Sequence, residues 1–60
     1  MEGYPIVYEV QYHTTDYYYP DEHIGYSWTI AGAEAIIARD MAEREFMVRA
    51  QYTIEPIEVE

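Results

Sequence analysis

The sequence contains no cysteine and no lysine, only 3 glycines and 3 prolines, and nowhere a long uninterrupted run of apolar residues. Without cysteine, disulfides and thiolate metal centres are excluded, although small scaffolds commonly lean on one or the other. Their absence also fits a reducing compartment. A chain whose cations amount to 3 arginines cannot grip a phosphate backbone in the usual way. Exposed tyrosines stacking on bases would be the one remaining route to nucleic acid, and no direct nucleic-acid contact is expected. The longest apolar stretches fall far short of the ~18 residues of a membrane span, so no membrane partner is expected. The opening Met1–Pro5 has neither the basic region nor the apolar run of an export signal, so no export precursor is expected, and the lack of cysteine predicts an intracellular chain. Glycine-rich phosphate loops, zinc-protease motifs and nucleophile elbows are all missing, as are repeats and low-complexity tracts.

What is present is acid and tyrosine. Twelve Asp and Glu residues set the formal net charge at −9 over 60 residues, and 8 residues are tyrosine. Self-repulsion of this size opposes compaction, so the imbalance points outward, to a basic partner. Solubility alone is the plainer explanation of such a charge. Half of the residues are hydrophobic and 17% aromatic, too rich for an acidic disordered tail, which predicts one small folded domain over residues 1–60.

Ile6, Tyr8, Val10 and Tyr12 alternate with Val7, Glu9, Gln11 and His13, the period of a strand with one buried face. Tyr26, Trp28 and Ile30 alternate with Ser27 and Thr29 as a second short strand, with Tyr17–Tyr19 extending either one. From Ala33 to Glu45 the composition turns to helix formers. Ala33, Ile37, Ala38 and Met41 form the apolar stripe; Ile36 lies toward the polar side, available for a contact or a homodimer. Gly32 is the predicted N-cap, with Thr29 as an earlier alternative start. Val48, Ala50, Tyr52 and Ile54 then alternate with Arg49, Gln51, Thr53 and Glu55, until Pro56 halts or re-aims the strand. Short connections and a right-handed crossover place the third strand beside the first. The expected fold class is α+β, a three-stranded antiparallel sheet (ββαβ, order 2-1-3) with one helix packed on one face. The opposite face would carry Glu9, Gln11, His13, Ser27, Thr29, Arg49, Gln51 and Thr53 toward water.

Asp40 with Arg44 and Arg39 with Glu43 are spaced i, i+4 and predict local pairing on the helix. Outside the helix stand the carboxylates of Asp16, Asp21 and Glu22 in the loop, Glu55, Glu58 and Glu60 at the end, and Glu2 and Glu9 near the start, against Arg49. Tyr8, Tyr12, Tyr26, Trp28 and Tyr52 fit the core, whereas Tyr4, Tyr17, Tyr18 and Tyr19 have no inward place, and tyrosine suits interfaces. The candidate partner-binding residues are therefore Asp16, Tyr17, Tyr18, Tyr19, Asp21, Glu22, Glu55, Glu58 and Glu60. His13, Asp16, Asp21, Glu22 and His23 are the one group with metal-ligand chemistry, but their spacing matches no metal motif. No catalytic residue, metal or cofactor is assigned, and a chain this short offers little concave volume for an enzyme.

The run Trp28-Thr29-Ile30-Ala31 through Glu34-Ala35, Ala38 and Ala42, then Phe46-Met47-Val48-Arg49 and Ile54-Glu55-Pro56, resembles in order the RNA polymerase inhibitors of T7-like phages. The strand-strand-helix-strand layout with a tyrosine-rich second segment also resembles the uracil-DNA glycosylase inhibitors of phi29-like phages, which mimic DNA. Small anti-CRISPR proteins share the size and acidity. The resemblance covers residues 6–56 as architecture and carries no individual functional residue across. It implies a phage-encoded inhibitor that serves host takeover, working in the host cytoplasm on the basic cleft of a nucleic-acid-processing protein. The alternative is a small structural or accessory protein that self-associates through a sheet edge.

Overall fold

The computed structural model describes residues 5–14 and 19–60. Strand β1 spans Ile6–Tyr12, β2 spans Glu22–Ser27, helix α1 spans Ile30–Glu43, a 3-10 turn covers Arg49–Gln51, and β3 spans Tyr52–Glu58. The three strands form one antiparallel sheet in the order β2-β1-β3, so the α+β, ββαβ arrangement expected from the alternation is the fold. β1 is central because it is the strand with the most regular alternation and pairs along its whole length with β3, from Ile6 opposite Glu58 to Tyr12 opposite Tyr52.

α1 covers one sheet face. Val10, Tyr12, Ala33, Ile37 and Tyr52 form the buried core, with Tyr8, Ile24, Ile36, Met41, Met47 and Ile54 packed around it. Tyr12 and Tyr52 face each other across the β1–β3 ladder, rings edge-on with centroids 4.7 Å apart. Their hydroxyls stay satisfied: Tyr12 donates to Gln51 Oε1 at 3.1 Å, and Tyr52 donates to Asp40 on the helix. Burying two tyrosines is thus possible without orphaned polar atoms, and among the described residues no buried side-chain nitrogen or oxygen lacks a partner.

The second strand differs from the expectation. β2 lies earlier, at Glu22–Ser27, and contains a bulge: Val10 faces Gly25 while Gln11 faces His23, leaving Ile24 as the extra residue. That insertion flips the phase of everything after it. Ile24 turns to the core, Gly25 lets Ile36 pack closely over the sheet, and Tyr26 is thrown onto the uncovered face. Tyr26 and Trp28 are therefore not core; they are 57% and 65% exposed. Ile36 packs against the core rather than lying on the polar side, whereas Ala38 is exposed.

Helix α1 starts at Ile30, not Ala33, because Thr29 rather than Gly32 is the N-cap: its Oγ1 accepts from the Gly32 amide at 2.9 Å. It stops at Glu43, two residues before the expected end, where Arg44 is extended and its amide still bonds to the Asp40 carbonyl at 3.0 Å. Ser27 does not face water on the open side; it pairs with Tyr8 on the helix side, and its Oγ lies 2.0 Å from where a Gly32 Cβ would be. Gly32→Ala is accordingly expected to destabilise by about 1 kcal/mol net, overpacking outweighing the gain in helix propensity. Adding Ser27→Ala should recover most of that loss in urea denaturation; no recovery would show that the close approach is not the cause.

Val48 and Ala50, expected inward, are exposed because residues 49–51 wind into the 3-10 turn instead of extending the strand. Arg49 leaves the sheet surface and clasps Glu34 with N···O distances of 2.9 and 3.0 Å, tying the turn to the helix. Pro56 neither halts nor re-aims β3. The Val59 amide bonds to the Pro5 carbonyl and the His13 amide to the Gln51 carbonyl, which fixes the hydrogen-bonded pairs at odd positions of β1. Pro56, opposite Tyr8, is in a non-hydrogen-bonded pair, with its nitrogen toward the free edge. No ladder bond is lost, and the edge is blunted.

Candidate functional site: an acidic, aromatic sheet face

The uncovered face of the sheet reads in rows. At one end Val7 faces Ile57; in the next row Tyr26, Glu9 and Glu55 lie side by side, followed by His23, Gln11 and Thr53. The far end is a hydrogen-bonded polar surface. His13 joins Asp21 through Nδ1 at 2.7 Å and Thr53 through Nε2 at 2.8 Å, and the Asp21 carboxylate also accepts from the Thr14 amide at 3.2 Å. His23 Nδ1 meets Glu9 at 2.8 Å and stacks obliquely on Tyr26 with centroids 4.6 Å apart. The hydrogen bond from His23 holds the Glu9 carboxyl below its ordinary range.

Carboxylate, imidazole and hydroxyl follow one another in Asp21, His13 and Thr53, the order of a nucleophile-activating chain. Here the three tie the loop and β1 to β3 on an open surface, and neither His13 nor Thr53 lines the groove described below. The residues weighed as a metal cluster are dispersed: Asp21 goes to His13, His23 to Glu9, and Glu22 to Arg44. Among the described residues no group of three or more His, Asp or Glu is arranged to hold a metal ion. Among them, too, no helix is long and apolar enough to cross a membrane.

Of the expected contact residues, Asp16, Tyr17 and Tyr18 lie outside the described residues, as does Tyr4. Tyr19 is exposed beside Pro20. Asp21 and Glu22 are exposed but engaged, Asp21 as above and Glu22 through two hydrogen bonds from Arg44 at 2.9 and 3.2 Å. Glu55, Glu58 and Glu60 are exposed and have no ion-pair partner among the described residues.

The arginines explain this division. Arg39 pairs with Glu43, Arg44 with Asp40 and Glu22, and Arg49 with Glu34, so all 3 are committed to the helix and its margins. The two i, i+4 pairs are the ones the spacing predicts; the long-range clasps onto Glu22 and Glu34 are not visible in sequence. Among the described residues no arginine is left for the uncovered face or the end of β3.

At the Val7–Ile57 end the surface opens into a shallow groove of about 600 Å³ lined by Val7, residues 26–28 and residues 57–60. Tyr26 and Trp28 are the functional candidates that sequence reasoning missed, since their alternation imitated a buried strand. Phe46 is a further exposed aromatic, 93% accessible and held at a positive φ of 68° in the turn after the helix. No protein-family model, curated protein or solved structure matches the chain.

Proposed function

We propose that the chain is a phage-type protein inhibitor that acts in the host cytoplasm by seating an acidic, aromatic surface in the basic cleft of a host nucleic-acid enzyme. The target classes are an RNA polymerase, a uracil-DNA glycosylase or a CRISPR effector. It works by binding, without a cofactor, a metal or a reaction of its own, and it excludes the nucleic acid rather than contacting it.

One observation carries this reading: every arginine is consumed by internal ion pairs on the helix side, so among the described residues no arginine neutralises the carboxylates of the sheet face and β3 end. Solubility accounts for a high net charge but not for its placement beside exposed aromatics. One-signed carboxylates beside exposed aromatics instead match what a phosphate backbone and its bases present to a Lys- and Arg-lined cleft. Glu55, Glu58 and Glu60 form the contact core, because Asp21 and Glu22 already serve internal bonds. The self-associating accessory protein is the weaker reading: Pro56 interrupts the outer edge of β3.

The test is capture of a bacterial enzyme on the immobilised protein, elution by a salt step, and assay of that enzyme with the protein added back. Inhibition should weaken steeply with salt. Reversing Glu55, Glu58 and Glu60 to lysine together should cost about 100-fold in affinity, at roughly 1 kcal/mol per charge, while leaving the circular dichroism unchanged. Undiminished inhibition by the folded triple variant would sink the acidic-surface reading.

A further inference from the structure

The groove at the Val7–Ile57 end occupies the place where the sheet runs out of partners. β2 stops at Ser27, opposite Tyr8, so Ile6 and Val7 have a neighbouring strand on one side only, toward β3. Past that stop the chain turns away into the Thr29 cap, and Trp28 projects at the corner, 65% exposed. Val7 and Ile57, facing each other across the ladder, supply the apolar floor; Ile57 is 37% exposed despite its β-branched bulk. Tyr26, Trp28 and Ile57 are thus exposed together beside the half-buried Val7.

The walls carry a second chemistry. Glu58 and Glu60 border the groove at its end, Glu58 lying opposite Ile6 and so on the helix-side face, while Glu9 and Glu55 occupy the next row of the open face. Among the described residues no lining residue is cationic. We infer that this groove is a docking site for a cationic segment of a partner protein in which one large apolar side chain is flanked by lysine or arginine. The apolar side chain rests on Val7 and Ile57 beside Trp28, and the flanking cations reach Glu55, Glu58 and Glu60 or lie over the Trp28 and Tyr26 rings. A purely charged contact would leave the apolar floor wet, and a purely apolar ligand would gain nothing from the carboxylates. A second copy of this chain suits the site poorly, since each carries a net charge of −9 and would bring like charges together. The inference rests on the binding-surface reading above and adds to it an anchor pocket and the chemistry of what fills it.

Trp28 is the single tryptophan, so its emission reports on the groove directly. The probes are two blocked peptides, one with a leucine between two pairs of lysines and one with alanine in its place. The leucine peptide should bind saturably with a blue shift of Trp28 emission and about tenfold more tightly than the alanine peptide, the difference expected from burying the larger side chain. Raising salt from about 0.05 to 0.3 M should weaken both peptides and preserve their ratio. Ile57→Thr, which keeps a β-branched side chain suited to a strand, should reduce the leucine peptide to the level of the alanine one. Trp28→Ala, followed by calorimetry, should do the same.

Equal affinities for the two peptides would overturn the proposal, as would calorimetric binding that leaves Trp28 emission unmoved, or no binding of either. A dimer in sedimentation that Ile57→Thr abolishes would assign the groove to a second copy instead. The two readings fail separately. If the leucine peptide binds as stated but no host enzyme is captured, the inhibitor reading falls and the groove stands; if an enzyme is inhibited equally by wild type and Ile57→Thr, the groove falls alone.

Discussion

Ile37→Ala is expected to remove most of the stability of this domain. A 60-residue chain has roughly 3–9 kcal/mol to lose. Ile37 is 1% exposed and meets the sheet at its centre, where Val10 and Ala33 are fully buried. Truncating a buried isoleucine to alanine costs about 2–5 kcal/mol, the upper part of that range applying where the site cannot collapse. Here the opposing wall is a hydrogen-bonded strand paired on both sides, so collapse is restricted. The midpoint of thermal unfolding should fall by tens of degrees, since about 1 kcal/mol moves it by 4–8 °C at this size. Far-UV circular dichroism is the suitable probe, because Trp28 is already exposed and its fluorescence will change little. Ile30→Ala, on the same helix but 55% exposed, serves as the control and should cost well under 1 kcal/mol beyond its small propensity effect. Similar losses for the two would mean that the helix does not pack through Ile37.

The second large effect is expected at Asp40. Its carboxylate, 18% exposed, accepts from Arg44 Nε at 3.2 Å, from Arg44 Nη2 at 2.8 Å and from the Tyr52 hydroxyl, while Arg44 reaches on to Glu22. One side chain thus links α1 to β3 and, through Arg44, to β2. Partial burial pushes the Asp40 carboxyl up, but the hydrogen bonds from Arg44 and Tyr52 together outweigh it and hold the carboxyl below its ordinary 3.8. Burial and the bond to Asp40 push the Tyr52 phenol the other way, up to about 12.

The signs follow from linkage. A lowered carboxyl contributes stability that is complete above its ordinary value and lost as pH falls through the folded one; a raised phenol contributes stability that is complete below 10 and lost as pH climbs toward 12. Asp40→Asn should therefore cost about 1.5–3 kcal/mol at neutral pH, the range for hydrogen bonds to a charged group. Its deficit should shrink in acid, where the wild-type carboxyl is protonated too. Urea denaturation of both proteins between pH 2 and pH 8 measures this: the curves should converge on the acid side. Parallel curves would show that the Asp40 charge is not what Arg44 and Tyr52 recognise. The wild type should still lose stability in acid through Glu9, whose carboxyl His23 lowers on the opposite face.

Several features were legible in the residues for definite physical reasons. β1 alternates over seven residues with the exception of Val7, so one face is marked for burial, and its central position follows from where the other strands must hide their apolar sides. The inward Tyr12, Tyr52 and Ile54, the apolar Ala33 and Ile37, and the i, i+4 pairs of Arg39 and Arg44 all depend on periods of two or about 3.6, which a sequence displays directly. β2 was misread because Tyr26, Trp28 and Ile30 display the same period while belonging to a sheet face, a corner and a helix. A single inserted residue, Ile24, separates the two interpretations, and no local composition announces which residue a partner strand will leave unpaired.

Composition by itself determined that this protein is one-signed, free of disulfides and rich in tyrosine, and local periodicity determined an α+β sheet with one covered face. Those properties follow from residue identity and nearest neighbours along the chain. Only the tertiary structure decided where the charge is left unneutralised and which aromatics stay wet. Arg44 meets Glu22 and Arg49 meets Glu34 across gaps of 22 and 15 residues, and Tyr26 is turned out by its pairing with β1. Both outcomes depend on contacts between segments distant in sequence, formed once the sheet has closed against the helix, and those contacts place the acids and aromatics together at the Val7–Ile57 end.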